Sequence, residues 1–222
     1  MNKTLAKEVP YPEIFVATDF AGWSRAWAGL GVASAPEDVF SELLSRYGQA
    51  HRAYHVRRHL EDCLASLNEV RAQCEHPDEV AIALWFHDAI YEPRRSDNEA
   101  ASADWLTRVA RDAGVPASSV ARMHALVMAT RHTASADEHD AKMLVDIDLS
   151  ILGAPAARFD MYEMQVRREY RWVPGPIYRA RRAEILEGFL DRPVIYATQY
   201  FHERLEQTAR QNLLRSISLL RR

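Results

Sequence analysis

The chain is short of cysteine, of long apolar runs and of positive charge, and each shortage removes a class of protein. Two cysteines in 222 residues, Cys63 and Cys74, cannot make the disulfide framework of a small secreted domain. They lie eleven residues apart. On one helix that is about 16 Å along the axis, too far for a bridge. No segment approaches the roughly 20 apolar residues of a membrane span, so no membrane partner is expected. The N-terminal MNKTLAKEVPYPEIF has basic residues without an apolar segment behind them and does not read as a signal peptide. A reducing, cytoplasmic location is the expectation. With 28 basic and 31 acidic residues the formal net charge is -3, which disfavours nucleic acid as the main partner. A small phosphorylated ligand needs only a local positive patch. Internal repeats and low-complexity tracts are absent, and few windows alternate like a half-buried strand.

What is present is helical periodicity and enough apolar residues, 48%, for a real core. A first helix is expected from Phe20 to about Leu30, and a second from Pro36 to about Tyr47, with Glu37 and Asp38 in its first turn. Leu60, Leu64, Leu67 and Val70 recur at helical spacing in a third, about Tyr54–Gln73. Pro77 opens a fourth that runs through Ile90 and stops before Pro93. Further helices are expected near Glu99–Ala113, from Ser118 to about Thr130, and from a cap at Asp137 through Ile147, then over 156–171, 176–190 and 197–219. No heptad persists, so the fold class is all-α, an irregular bundle. The chain divides into an N-terminal helical extension (1–35), a core (36–155) and C-terminal helices packed on it (156–222), a single domain overall. The amphipathic C-terminal helix, or the Trp23/Trp27 face, can pack on its own core or make a homodimer.

Phe86-His87-Asp88-Ala89 ends an apolar helical run. A carboxylate there is expensive unless paired or metal-bound. An Asp88–arginine ion pair with a core histidine is the plainer alternative. His55 and His59, four apart, would share a helix face. Asp146 and Asp148 sit in the apolar LVDIDLSILG, where two residues apart on a helix they face different ways. Two imidazoles with two carboxylates suit a divalent ion with places left for water, such as Mn, Co, Ni, Mg, Fe or Zn.

The stretches RAYHVRRHLEDCL, ALWFHDAIYEPRRSDNEAASA, LVDIDLSILG, RREYRWVP and RPVIYATQYFHERLEQTARQNL resemble the HD-domain superfamily of metal-dependent phosphohydrolases, and more closely a bacterial branch without an assigned substrate. The resemblance runs from about residue 40 to the end. It implies His59, His87, Asp88 and Asp148 as metal ligands. A one-turn slip would put His55 in place of His59. Otherwise His55 holds the place of a phosphate-facing general acid. Val56 stands where cyclic-nucleotide phosphodiesterases have asparagine, so a cyclic nucleotide is not implied. Asp88 or Glu99 is expected to orient the attacking water. His132, His124 and Asp146 are candidates for a second metal or for supporting the first ligands. Arg94 and Arg168 are the phosphate candidates, drawn from a wider set that includes Arg131 and Arg182. The expected partner is a small phosphorylated molecule such as a nucleotide. Two other functions fit the same residues. A di-iron oxygenase would need both His124 and His132 at the metal, and a sensing or interaction module would keep the metal without catalysis.

Overall fold

The computed structural model describes residues 18–132 and 137–222. Its helices are α1 (Phe20–Gly29), α2 (Glu37–Tyr47), α3 (Arg57–Val70), α4 (Pro77–Phe86), α5 (Asn98–Asp112), α6 (Ala117–Ala129), α7 (His139–Asp148), α8 (Ala156–Glu169), α9 (Gly175–Leu190) and α10 (Gln199–Leu220). Tight 3-10 turns follow α3 and α7, and there is no strand among the described residues. The fold is all-α, as the periodicity implied. No described helix is long and apolar enough to cross a membrane.

α4 is the axle. Pro77 starts it, and Asp78 and Glu79 complement the positive end of its dipole. Every residue from Glu79 to Phe86 is buried, as expected of a helix apolar on all sides. It packs against α1, α3, α5, α6 and α7. Trp23 and Trp27 of α1 are fully buried, and Trp23 meets Trp85 edge-on at 5.3 Å. Thus α1, read from the sequence as an extension, shares in the core. Truncating such a ring to alanine costs about 3–5 kcal/mol. On the far side, α10 crosses the turn at Leu149–Gly153. A Cβ on Gly153 would lie 2.6 Å from Leu205 Cβ, so only glycine permits that approach.

Three boundaries differ from the sequence reading, and side chains explain two of them. α4 ends at Phe86, so His87 and Asp88 lie in a turn and not inside the helix. The buried Arg52 draws the backbone away: it donates to the carbonyls of Asp88 (2.7 Å), Ala89 (3.1 Å) and His55 (3.1 Å). The hydroxyl of Ser102 also accepts from Ile90 N at 3.0 Å. α3 begins at Arg57, so His55 precedes it. The expected shared face of His55 and His59 therefore does not exist. Tyr54 and His55 are held instead by Glu169, which accepts from the backbone N–H of Ala53, Tyr54 and His55 at 2.7, 2.8 and 3.0 Å. Glu138, not Asp137, occupies the N-cap of α7.

Candidate metal centre

Three elements bring four side chains together. The first turn of α3 supplies His59, the turn after α4 supplies His87 and Asp88, and the last residue of α7 supplies Asp148. His59 Nε2 lies 3.0 Å from His87 Nε2, 3.2 Å from Asp148 Oδ1 and 3.5 Å from Asp88 Oδ2. His87 Nε2 lies 3.1 Å from Asp88 Oδ2. Both histidines are buried, while Asp88 and Asp148 keep 17% and 15% side-chain exposure. The cluster is thus closed behind and open in front.

The donor chemistry fits a cation. His87 Nδ1 sits 2.7 Å from the Leu84 carbonyl, which can only accept, so Nδ1 carries the proton and the Nε2 lone pair points into the cluster. That is how a backbone carbonyl fixes a metal-ligating imidazole. Asp88 and Asp148 add only acceptors and His59 can bring one N–H, so acceptors outnumber donors here, and such a group needs shared protons or a cation to coexist. Burial alone would push the His87 imidazolium down, but the Asp88 and Asp148 carboxylates and the Leu84 carbonyl lift its pKa to about 9. A divalent ion competes for the place of those protons. Cys63, one turn along α3, adds a buried thiol 3.8 Å from both ring nitrogens of His59. Ligand atoms of His59, Cys63, His87 and Asp148 all lie within 4.8 Å of one another. This group can hold a metal ion.

The cluster floors a cavity of about 550 Å³, whose lining includes His55, Asp88, Glu99, His132 and Asp148. His55 stands beside the cluster. Its Nδ1 lies 2.8 Å from Glu169 Oε2 and its ring stacks on Tyr91 at 4.1 Å. Tyr91 donates its hydroxyl to the same carboxylate oxygen at 2.8 Å. Glu169 is buried, which favours its neutral form. The hydrogen bonds from His55 and from the backbone N–H groups of Ala53 and His55 prevail and bring its pKa down to about 2. It is an acceptor only, so His55 Nδ1 is protonated and Nε2 is the free ring nitrogen. Burial opposes the His55 imidazolium, yet Asp88 and Glu169 raise its pKa above the usual value.

The other expected residues separate. His132, just past α6, has φ +54°, a left-handed conformation uncommon outside glycine. Arg192 anchors its carbonyl at 3.0 Å, and its Nε2 reaches Asp148 Oδ2 at 3.1 Å. His124 faces away, half exposed beside Asp104 at 3.7 Å. Asp146 also points away: its oxygens accept from Ala197 N (2.9 Å), Thr198 N (2.7 Å) and Thr198 Oγ1 (2.6 Å). Glu99 reaches the cavity because Asn98 clamps the loop before it, exchanging hydrogen bonds of 3.1 Å with the Glu92 backbone. Arg94 and Arg168 are exposed and do not line the cavity. The Arg94 guanidinium lies over Trp172 at 5.0 Å. The arginines that do line it are Arg131, Arg181 and Arg182.

Glu169, Arg52 and Cys63 were not singled out from the sequence as site residues. Glu169 sits inside RREY, directly after Arg168, which was; Arg52 precedes Tyr54-His55 in HRAYH; Cys63 follows His59 by four. The missing signal was the long-range pairing, 114 residues apart for Glu169 and His55. No protein-family profile, curated protein or solved structure matches this chain.

Proposed function

We propose that this protein is a metal-dependent phosphohydrolase of the HD type acting on a small phosphoester. The observation that carries the reading is the convergence of His59, His87, Asp88 and Asp148 at the floor of a cavity that also presents His55. Their chain order, a histidine, a His-Asp pair and a distant aspartate, is that of the HD superfamily. Two imidazoles and two carboxylates suit Mn, Co, Ni, Mg or Fe; the nearby Cys63 thiol also admits Zn.

The chemistry supplied by a bound divalent ion is Lewis-acid activation of water and neutralisation of charge on the phosphoryl oxygens. The residues do the rest. Asp88 or Glu99 orients the water and accepts its proton as the new O–P bond forms. His55 gives its Nε2 proton to the leaving oxygen as the old O–P bond breaks. Glu169 accepts from His55 Nδ1–H and favours the imidazolium, the form that carries the Nε2 proton, and Tyr91 supports the ring from its face. The products are an alcohol and inorganic phosphate.

The test is reconstitution. Protein stripped with chelator is supplied with Mn, Co, Ni, Mg, Zn or Fe in turn. Phosphate release is then followed from nucleotides, sugar phosphates, pyrophosphate and an aryl phosphate, with His87→Ala as the blank. Release that needs a metal and disappears in the blank supports the proposal; no release with any metal overturns it.

A second reading, a two-metal oxygenase, draws on one observation. Asp148 turns Oδ1 to His59 and Oδ2 to His132, as a bridging carboxylate would. Only His132 of the two extra histidines comes to the site, which weighs against it. Two irons per chain after iron loading would favour it.

A further inference from the structure

Away from the metal cluster, the cavity wall is ring and aliphatic surface. Tyr170, Trp172, Tyr178, Ile151, Ile185 and Phe189 all line it. Trp172 and Ile185 are 48% and 52% exposed, so both offer apolar surface that a ligand entering this cavity can cover. A volume of about 550 Å³ is in the range of pockets that enclose a small organic molecule (about 300–1,000 Å³).

Two of the three arginines on this wall have carboxylate partners. Arg182 is buried and committed: it ion-pairs with Glu163 at 2.5 Å and donates to Tyr162 Oη at 2.8 Å. Arg181 shares Glu184 at 2.8 Å. Glu99 adds a carboxylate to the lining besides Asp88 and Asp148. Two of the three lining arginines are therefore already paired with glutamates, and the two carboxylates of Asp88 and Asp148 match the charge of one divalent ion. Among the described residues, Arg131 is the lining arginine with no carboxylate partner. It is next in the chain to His132, which touches Asp148. One arginine beside one cation site can clamp a single phosphoryl group. A triphosphate or pyrophosphate brings more negative charge than this wall can answer, and a polyol would leave its hydroxyls against apolar surface.

We infer that the cavity selects phosphate monoesters whose alcohol carries an apolar ring, over polyphosphates and over esters of polar polyols. The phosphoryl group sits at the floor beside Arg131 and the ring lies against Trp172 and Ile185. Among nucleotides, monophosphates are preferred to triphosphates. The inference rests on the phosphomonoester reading above, and its test separates the two.

The experiment uses the full chain loaded with Mn. Phosphate release is compared for 2-phenylethyl phosphate, glycerol 1-phosphate and pyrophosphate; the first two have alkyl leaving groups of similar basicity. In parallel, calorimetric titration measures 3-phenylpropylphosphonate and methylphosphonate, which cannot be hydrolysed. The expected result is at least about a tenfold higher kcat/KM for the phenyl ester than for the glycerol ester, with pyrophosphate slowest. The phenyl phosphonate should bind at least about tenfold tighter than the methyl compound. Trp172→Ala should weaken the phenyl phosphonate several-fold more than the methyl one, and Arg131→Gln should weaken both. Tight phenyl phosphonate binding without release from any ester would overturn the hydrolase reading and leave the ring-selective cavity standing. Faster release from glycerol 1-phosphate or pyrophosphate would overturn the cavity inference and leave the hydrolase reading standing.

Discussion

α7 carries two aspartates two residues apart, and the polar clusters they join are opposite in kind. On one side, Asp146 is met by three donors from Ala197 and Thr198, so each of its oxygens has a partner. Nearby, Glu206 accepts from Ile195 and Tyr196 N–H in the same loop. That network is complete, and its product is the position of the loop leading into α10. On the other side, Asp148 faces two imidazoles and comes within reach of a third, and Asp88 stands across from it. That cluster has more acceptors than donors and is open to a cavity. Buried polar groups that satisfy one another are architecture. Acceptors that converge in excess of donors ask for something the chain does not provide, and a cation is the simplest answer.

The largest expected effect comes from breaking the incomplete cluster. Asp148→Ala should cost more than about a hundredfold in metal affinity, beyond the 10–100-fold typical of residues that only support a ligand. Elemental analysis of dialysed protein would show it. Asp146→Ala, two residues away, should leave metal content as it is. Metal retained at the native level in Asp148→Ala would remove that residue from the ligand set.

Glu169 offers the next test, because it belongs to a complete network but serves the cavity. Glu169→Gln should lower kcat about 10- to 100-fold while metal stays bound, with His55 losing its anchored tautomer. A merely structural role would not change the pH profile. This one should, by lowering the pKa of the His55 limb. Stability should respond as well. The folded-state pKa of Glu169, about 2, lies below its ordinary 4.5. Its contribution is therefore fully present above about pH 4.5 and is lost as the pH falls through about 2. The shift corresponds to about 3 kcal/mol. Urea unfolding between pH 6 and pH 2 should show this loss in the native protein and much less of it in the glutamine variant.

Smaller still is Asp146→Ala as a stability probe. It strands the backbone N–H of Ala197 and the buried N–H and hydroxyl of Thr198, at a cost of about 1–3 kcal/mol. Thermal unfolding would register this. An equal loss of bound metal would mean that the two sides of α7 are not independent.

The helices were legible because apolar residues recur at helical spacing and proline and glycine punctuate them. Pro77 marks the start of α4, and Gly114 lies just beyond α5. The residues of the candidate metal cluster were legible as types in an order. Their ends were not. Arg52 competes for the carbonyls of Asp88 and Ala89, and Glu169 for the N–H groups of residues 53–55. Both act across the fold, so local periodicity carries the helices too far and places His55 on a helix it precedes. The arginines show the same limit from the other direction. Arg94 and Arg168 were close in sequence to site residues, yet the orientation of the loop and of α8 leaves them outside, and α9 supplies Arg181 and Arg182 from farther away.

The two histidines of the α6 region give the finest comparison. His132 is held in a left-handed turn by Arg192 and aimed at Asp148, while His124 lies on the outer face of α6 beside an exposed carboxylate. His132→Ala should therefore lower metal affinity or metal count, by about tenfold or more in affinity. His124→Ala removes an exposed side chain whose partner is solvated, and exposed pairs contribute about 0–1 kcal/mol. Its unfolding free energy should stay within about 0.5 kcal/mol of the native protein, with metal content and phosphate release unchanged. A loss of metal in His124→Ala would mean that α6 turns its outer face toward the cluster in solution, and the two-metal reading would then regain the ligand it now lacks.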